Sequence, residues 1–458
     1  MTVVPAAARG RGWLPSLARP VTGSAWIGFT AFVGLAIPLI LSGRSGAFAG
    51  VMLIGLVVVI ALVILSFTRP EPVFVAGFFL LAVVRIEPAP VDVVFALLIV
   101  ATLTSTRRFA HVPPLIGLGL ALFAVLSIAS MLNAPDGHRA IKFEFQTLYL
   151  LVFGLWLSGM FENANLMRRG LKAYVIAAIA SAIVAIAALK VPFPGRAAFL
   201  MDNQRPMALF KDPNVFGPFL VPAAAIMLEE IVRPRLFKWG SVRSLLALSI
   251  LSAGVVFSFS RAAEFNLGIA IVTVVLVYMT RARGIAATAR SIGVIVICGL
   301  ACLALLTATN SLGFLESRSH LEAYDQQRFS TQNEALQRAS EHVLGHGPGQ
   351  SEVGLPRSTH NLYARVVYEQ GYIGGALLVG IIGATLLAAV GLVASDRDLH
   401  GVGSAALLAS WLGLLANSFF VDTLHWRHLW VVAGLIWCAS VQSHQLEPGA
   451  TGTTPKST

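Results

Sequence analysis

Long apolar runs follow one another along most of this 458-residue chain, separated by short basic turns, and they leave very few charges to cover a surface. Only 12% of the residues are charged and 56% are hydrophobic, with a mean hydropathy of +0.77. A soluble domain carries about twice that charged fraction. Such a chain must sit in a membrane. The runs do not alternate apolar with polar residues, so they predict helices rather than barrel strands. The expected fold class is therefore an all-α polytopic membrane protein.

About fourteen apolar segments are legible: 24–41, 46–67, 72–86, 90–105, 112–132, 141–161, 170–189, 214–232, 242–260, 263–281, 291–308, 371–394, 402–424 and 428–443. Several are short against the roughly twenty residues a span needs, which gives about twelve to fourteen spans. The formal charge of +11 does not point to nucleic acid, because Lys and Arg sit in the turns between apolar runs. There they set topology. Arg107-Arg108, Arg168-Arg169 with Lys172, Arg233-Arg235-Lys238-Arg243 and Arg281-Arg283-Arg290 fall in every second loop and predict the cytoplasmic side. Loops 133–140, 190–213, the turn at 261–262 and the long segment 309–370 then face outward, and both termini lie inside.

This divides the chain into a cytoplasmic segment 1–23, a helical membrane region 24–308, an outer loop 309–370, C-terminal spans 371–445 and a disordered tail 446–458. Arg9, Arg11 and Arg19 lead into the first run, which reads as a retained span rather than a cleaved signal. Cys298, Cys302 and Cys438 lie inside apolar runs and read as small buried hydrophobes, with no disulfide framework or metal site. Within the outer loop, Thr331–Leu344 places Leu336, Ala339, Val343 and Leu344 at helical spacing. It predicts an amphipathic helix on the outer membrane boundary, broken at Gly345-His346-Gly347-Pro348-Gly349.

Polar chemistry concentrates in three outward elements. Asp212-Pro213-Asn214 opens an apolar run after Arg205, and it reads first as a helix cap with proline in the first turn. Arg205 lies outside against the positive-inside bias. In Ser258-Phe259-Ser260-Arg261-Ala262-Ala263-Glu264 two runs meet almost without a loop, which puts Arg261 at the membrane surface. A charge there costs a few kcal/mol unless paired or wet. It either snorkels, pairs with Glu264, or serves function. His360-Asn361 opens a helix on which Arg365 and Glu369 stand four apart and can pair. Arginine holds a diphosphate with paired N–H donors and no metal. A histidine near neutral pH takes the proton of a hydroxyl nucleophile. Together these suit group transfer from a lipid diphosphate to a hydroxyl.

His360-Asn361-Leu362-Tyr363 with Glu369-x-Gly371-x-x-Gly374 resembles the signature of the O-antigen ligase and polymerase family. Arg328, Ala335-Leu336 and His342-Val343-Leu344-Gly345-His346-Gly347-Pro348-Gly349 are similar to the run in that family's large periplasmic loop, although the proline usual after the histidine is missing. Ser258-x-Ser260-Arg261 and Arg205 with Asp212-Pro213-Asn214 resemble its other two motifs, in family order. The specific likeness covers about residues 200–380.

The resemblance implies a metal-independent, inverting glycosyltransferase of the inner membrane that needs no cofactor. Its donor would be a glycan on undecaprenyl diphosphate, and its acceptor a sugar hydroxyl of the lipid A core or another surface glycolipid. The polymerase alternative passes the glycan to another lipid-linked repeat. By carry-over His360 activates the acceptor, and Arg205 and Arg261 hold the diphosphate. Arg338, Arg328 and the turn containing His346 shape the loop, with Asn361, Glu369 and Asp212 as further substrate-binding candidates. A transporter of lipid-linked sugars is the competing class. Its charges would sit near the midplane, with paired broken helices or repeats. A scaffold would have no use for outward arginines at span ends.

Overall fold

The computed structural model describes residues 60–103, 109–201, 205–281, 285–308, 312–313, 316 and 323–445. The expected segment 1–23, the run 24–41, most of 46–67, Arg107-Arg108, Arg283, most of 309–322 and the tail 446–458 lie outside the described residues.

The described chain is helical, apart from a two-residue hairpin. In order it forms α1 Pro70–Leu80, α2 Pro90–Leu103, α3 Pro114–Ser130, α4 Gly137–Met160, α5 Ala164–Lys190, β1 Leu200–Met201 and β2 Arg205–Pro206. Then follow α6 Pro213–Val232, α7 Ser241–Phe257, α8 Arg261–Thr280, α9 Ile285–Ala308, α10 Ala323–Arg338 and the single turn α11 Ser351–Gly354. The chain closes with α12 Leu362–Ala394, α13 Ser404–Asn417 and α14 Arg427–Gln445. Proline opens α1, α2, α3 and α6, where its fixed φ suits the first turn and its missing N–H is not needed. Among the described residues, six helices (the α3 stretch through Asn133, α4, α5, α6, α8 and α12) are long and apolar enough to cross a membrane. The protein is thus an all-α polytopic membrane protein.

Helix α6 is the central pillar, with 89% of its apolar window buried. It packs on α7, α8 and α13 and tolerates Pro218 and Pro222 inside it. Helices α3 and α12 pack on each other at the periphery, with only 28% of each window buried. Their outward Leu118, Val125, Val379 and Leu387 are the face a lipid chain would cover. The core is aromatic where α1, α2 and α4 meet: Phe74, Phe78, Phe95, Phe153 and Trp156 are all buried, with ring centroids 4.9–6.5 Å apart.

The basic loops gather at one end. Arg233 and Arg281 both meet Asp396, at 3.0 and 2.8 Å, Arg235 pairs with Asp398, and Arg168 donates to the His400 carbonyl. The buried Glu230 carboxylate accepts the N–H groups of Arg235, Leu236, Phe237 and Lys238. Loops 133–139, 345–352 and 418–426 meet at the opposite end, where Asn133 donates to the Gly345 carbonyl and Arg139 pairs with Glu352. The alternation of loops read from the arginines is therefore the alternation of the bundle.

Three elements differ from the reading of the runs. The 402–424 run stops being helical at Asn417, because 418–426 turns back over the bundle end. The helix expected to open at His360-Asn361 begins at Leu362 and runs on into the 371–394 run, with a bend at Gly371, whose φ is +71°. The amphipathic helix is Ala323–Arg338 rather than 331–344, and its buried positions are Thr331 and Ala335, with Ala339 just beyond its end. Leu336 and Val343 are exposed. Small residues face inward because α10 lies close against α12, where Ala335 packs with Leu355 and Tyr368.

Candidate active site

The two arginine motifs are joined by one asparagine. The hairpin pairs Met201 with Arg205 and hangs Arg205 over the start of α6. There the Asp212 carboxylate accepts the Asn214 N–H at 2.7 Å, so Asp212 is the α6 cap. Asn214 Oδ1 accepts from Arg205 Nη2 at 3.2 Å and from the Ser260 hydroxyl at 2.8 Å. Arg205 also donates to the Ser258 carbonyl at 3.4 Å. Ser260 in turn caps α8, accepting the Ala263 N–H, and Arg261 is the first residue of that helix. A side chain at Gly217 would run into Ser258 Oγ and Ala263 Cβ, at 2.7 and 2.6 Å. Glycine there lets α6 come close enough for Asn214 to reach the turn. The charges of Arg205 and Arg261 both act on Glu264, one turn into α8.

His360 sits in the turn before α12, half-buried, with φ +46°. Histidine is among the few side-chain residues that adopt this left-handed conformation with any frequency. Its neighbour Asn361 caps α12 by accepting the Ala364 N–H at 3.0 Å, and donates to the Phe419 carbonyl at 3.1 Å. Gln332 of α10 donates to the Thr359 carbonyl at 3.0 Å, so α10 is clipped to the same turn. Arg328, one turn earlier on α10, acts on the His360 ring by its charge, as do Asp212 and Asp422. Burial and then Arg328 hold the imidazole below its usual range, against the opposing pull of the two aspartates. This shift favours the neutral ring, whose lone pair can take a proton. Asp212 thus belongs to both halves: it caps the helix that carries Asn214, and its charge reaches His360.

The remaining candidates build the frame beneath. Helix α12 breaks at Gly371, which would leave carbonyls of its preceding turn without helical partners. The His346 and Gly347 N–H groups supply them, donating to the Tyr368 and Glu369 carbonyls at 3.0 and 2.9 Å. A side chain at Gly371 would strike the Val343 carbonyl. His346 stacks on Tyr368 with centroids 4.2 Å apart and planes 2° from parallel, and its ring nitrogens meet the Tyr368 carbonyl and Glu341. Arg338 donates to the Gly354 carbonyl at 2.5 Å and lies over the Tyr368 ring. Glu369 is buried and accepts from Ser351 Oγ at 2.6 Å and Arg365 Nε at 3.1 Å, so the i,i+4 pair is real. Arg365 also pairs with Asp422. The structure therefore brings Arg205, Arg261, Asp212, Arg328 and His360 to one end of the bundle. It places Arg338, His346, Asn361 and Glu369 in the scaffold under the loop.

Asn214 and Asp422 are the neighbours of the candidate residues that sequence reasoning passed over. Asn214 stood in the quoted Asp-Pro-Asn start, where it read as a first-turn residue. Asp422 is the single carboxylate between Asp398 and Glu447. A lone acid between apolar runs is itself a signal of a buried partner.

Residues 246–379 match a family model described as O-antigen ligase. The match includes the Ser258–Arg261 turn, α10 and His360, and begins after Arg205 and Asn214. No curated protein matches the chain. Residues 246–379 of this membrane protein, with the arginine turn at one end and the histidine turn near the other, are thus similar to the O-antigen ligase family.

Proposed function

We propose that the protein transfers a glycan from undecaprenyl diphosphate to a sugar hydroxyl at the outer face of the inner membrane, acting as a ligase onto a lipid A core or similar glycolipid. The observation that carries this reading is the joining of the Arg205 and Arg261 turns through Asn214, with Asp212 on the same helix start acting on His360. Arg205 and Arg261 supply the planar N–H donors that suit a diphosphate.

The donor's lipid tail enters between spans, and its diphosphate stops beside Arg205 and Arg261. The acceptor oxygen attacks the anomeric carbon from the face opposite the diphosphate. The carbon–oxygen bond to the diphosphate breaks, and its electron pair remains on the departing phosphate. The arginines stabilise that growing charge. His360 takes the acceptor proton as the new bond forms. No step calls for a metal. The concentration of charge at one bundle end, rather than at the midplane, favours this over transport.

Deletion of the gene tests the reading. Surface glycolipids and the extracted lipid-linked pool are compared by gel. Anchors without O-glycan, with long polymer accumulating on undecaprenyl diphosphate, support the ligase. Single repeats on the anchors or carriers identify the polymerase instead. Unchanged glycans in both pools refute both.

A further inference from the structure

A second polar space opens at the same end of the bundle, beside the arginine turns. It is a cavity of about 580 Å³. That is within the size of pockets that enclose small ligands, about 300–1,000 Å³. Its walls come from loops that the basic-loop alternation puts on the outer side: the turn before α2, the start of α4, the stretch before α6, α11 and the 418–426 turn.

The lining is charged but balanced. Glu87, Asp136, Glu352 and Asp422 face Arg139, Lys142, Lys211 and Arg365, four carboxylates against four cations. Most are neutralised by a wall partner. Lys211 pairs with Glu87, Arg139 with Glu352 at 2.7 Å and Asp136 at 3.6 Å, and Arg365 with Asp422. His425 adds no charge, because burial and then Arg365 push its imidazole down to about 3. It meets Thr147 Oγ1 at 3.0 Å. With its charges balanced, this wall offers no net field to draw a phosphate or a uronate. Yet the wall alternates fixed donors and acceptors, with Gln146 among them. A hydroxyl both donates and accepts, so a sugar's hydroxyls match such a wall without charge.

The cavity shares a charged group with the surroundings of the candidate base, since Asp422 lines it and acts on His360. Lys211, also in the lining, precedes Asp212, which acts on His360 too.

We propose that this cavity is the acceptor subsite, and that it takes an uncharged, hydroxyl-rich oligosaccharide in preference to one bearing phosphate or uronate. The proposal rests on the transfer reading above for the word acceptor. The saccharide preference rests on the wall alone.

The test is binding rather than turnover. Full-length His360→Ala protein in lipid nanodiscs is applied to an array of neutral hexose and heptose oligosaccharides, and to the same oligosaccharides carrying phosphate or uronate. Binding of a short-chain polyprenyl diphosphate is measured alongside. The neutral members should bind at least about tenfold more tightly than the charged ones. Gln146→Trp, which fills the cavity, should cost saccharide binding at least about tenfold and leave the polyprenyl diphosphate unaffected. Glu352→Gln, which removes one of the four carboxylates and leaves Arg139 only Asp136, should shift preference toward the phosphorylated members. Wild-type preference for charged members, equal loss of both ligands in Gln146→Trp, or no saccharide binding would each overturn the proposal. Because the array uses protein without the candidate base, its pattern stands or falls separately from transfer in cells.

Discussion

Asn214 is the most exposing single residue to change, because one amide oxygen holds two motifs together. Asn214→Ala removes the acceptor of Arg205 Nη2 at 3.2 Å and of the buried Ser260 hydroxyl at 2.8 Å. A hydrogen bond to a charged group is worth about 1.5–3 kcal/mol, and a buried hydroxyl left without its acceptor costs about 1–3 kcal/mol. If the first term is felt as lost aim of Arg205 at the diphosphate, kcat/KM for the donor falls about tenfold to a hundredfold. The second term appears as lower thermal stability. The assay is glycan transfer by purified protein in nanodiscs, with the lipid-linked donor titrated at saturating acceptor, beside a thermal melt. Asn214→Asp separates the two effects. It keeps the acceptor oxygen, so the melt should hold, but it places a negative charge against Arg205, so donor use should still fall. Transfer by Asn214→Ala within about twofold of the unaltered protein, at an equal melting temperature, would refute the argument that this bridge aims Arg205.

Further expectations follow from the same geometry. His360→Ala should insert and fold normally yet lose transfer; retained activity at equal expression removes the base assignment. Because the His360 imidazole is held below its usual range, its neutral form survives acidification through the ordinary histidine region. The acid limb of kcat/KM should therefore lie below that region, and Arg328→Gln should move it to higher pH, which a pH–rate profile reads directly. Arg261→Lys should rescue Arg261→Ala poorly, since lysine lacks the planar fork; equal kcat/KM for lysine and arginine would contradict this. Arg365→Met strands the buried Glu369 carboxylate and removes the partner of the half-buried Asp422, and should cost about 3–5 kcal/mol of stability, seen as a large drop in melting temperature. Gly371→Ala forces a side chain toward the Val343 carbonyl at positive φ and should cost about 1–3 kcal/mol; an unchanged melt would show that the 343–347 turn does not depend on that close approach.

Helices were legible wherever apolar residues ran long, because in lipid the backbone has few other ways to satisfy itself. Their ends were less so. The 402–424 run continues apolar through Phe419 and Phe420, although the chain turns at Asn417 to deliver Asp422 to Arg365, whose position 57 residues earlier no local pattern reveals. In α10 the visible leucine, Leu336, marks the exposed face, while the buried stripe is Thr331 and Ala335, since close approach to α12 selects small side chains. The arginine turns and the histidine turn were each readable as unusual polar groups in an outward loop. Their meeting was not. It depends on Asn214, Gln332 and the bend at Gly371, all contacts between distant elements. Arg338, His346 and Glu369 carry the same residue types as a reactive site, and only their partners reveal them as framework.

The clasp at the basic end bears on how the protein is made. Arg233 and Arg281 share Asp396, and the first of these pairs spans 163 residues of chain. The Glu230 latch, by contrast, needs only residues 235–238 and is complete soon after α6 emerges. During synthesis, then, the pillar helix secures its own end first, and the arginines beyond it wait for the final third of the chain. The turn after α12, which carries Asp396, is in this sense the keystone of the basic end. A chain stopped short of Asp396 would leave Arg233 and Arg281 without their shared carboxylate, and the histidine turn without the Ser418 and Phe419 carbonyls to which Leu362 and Asn361 donate.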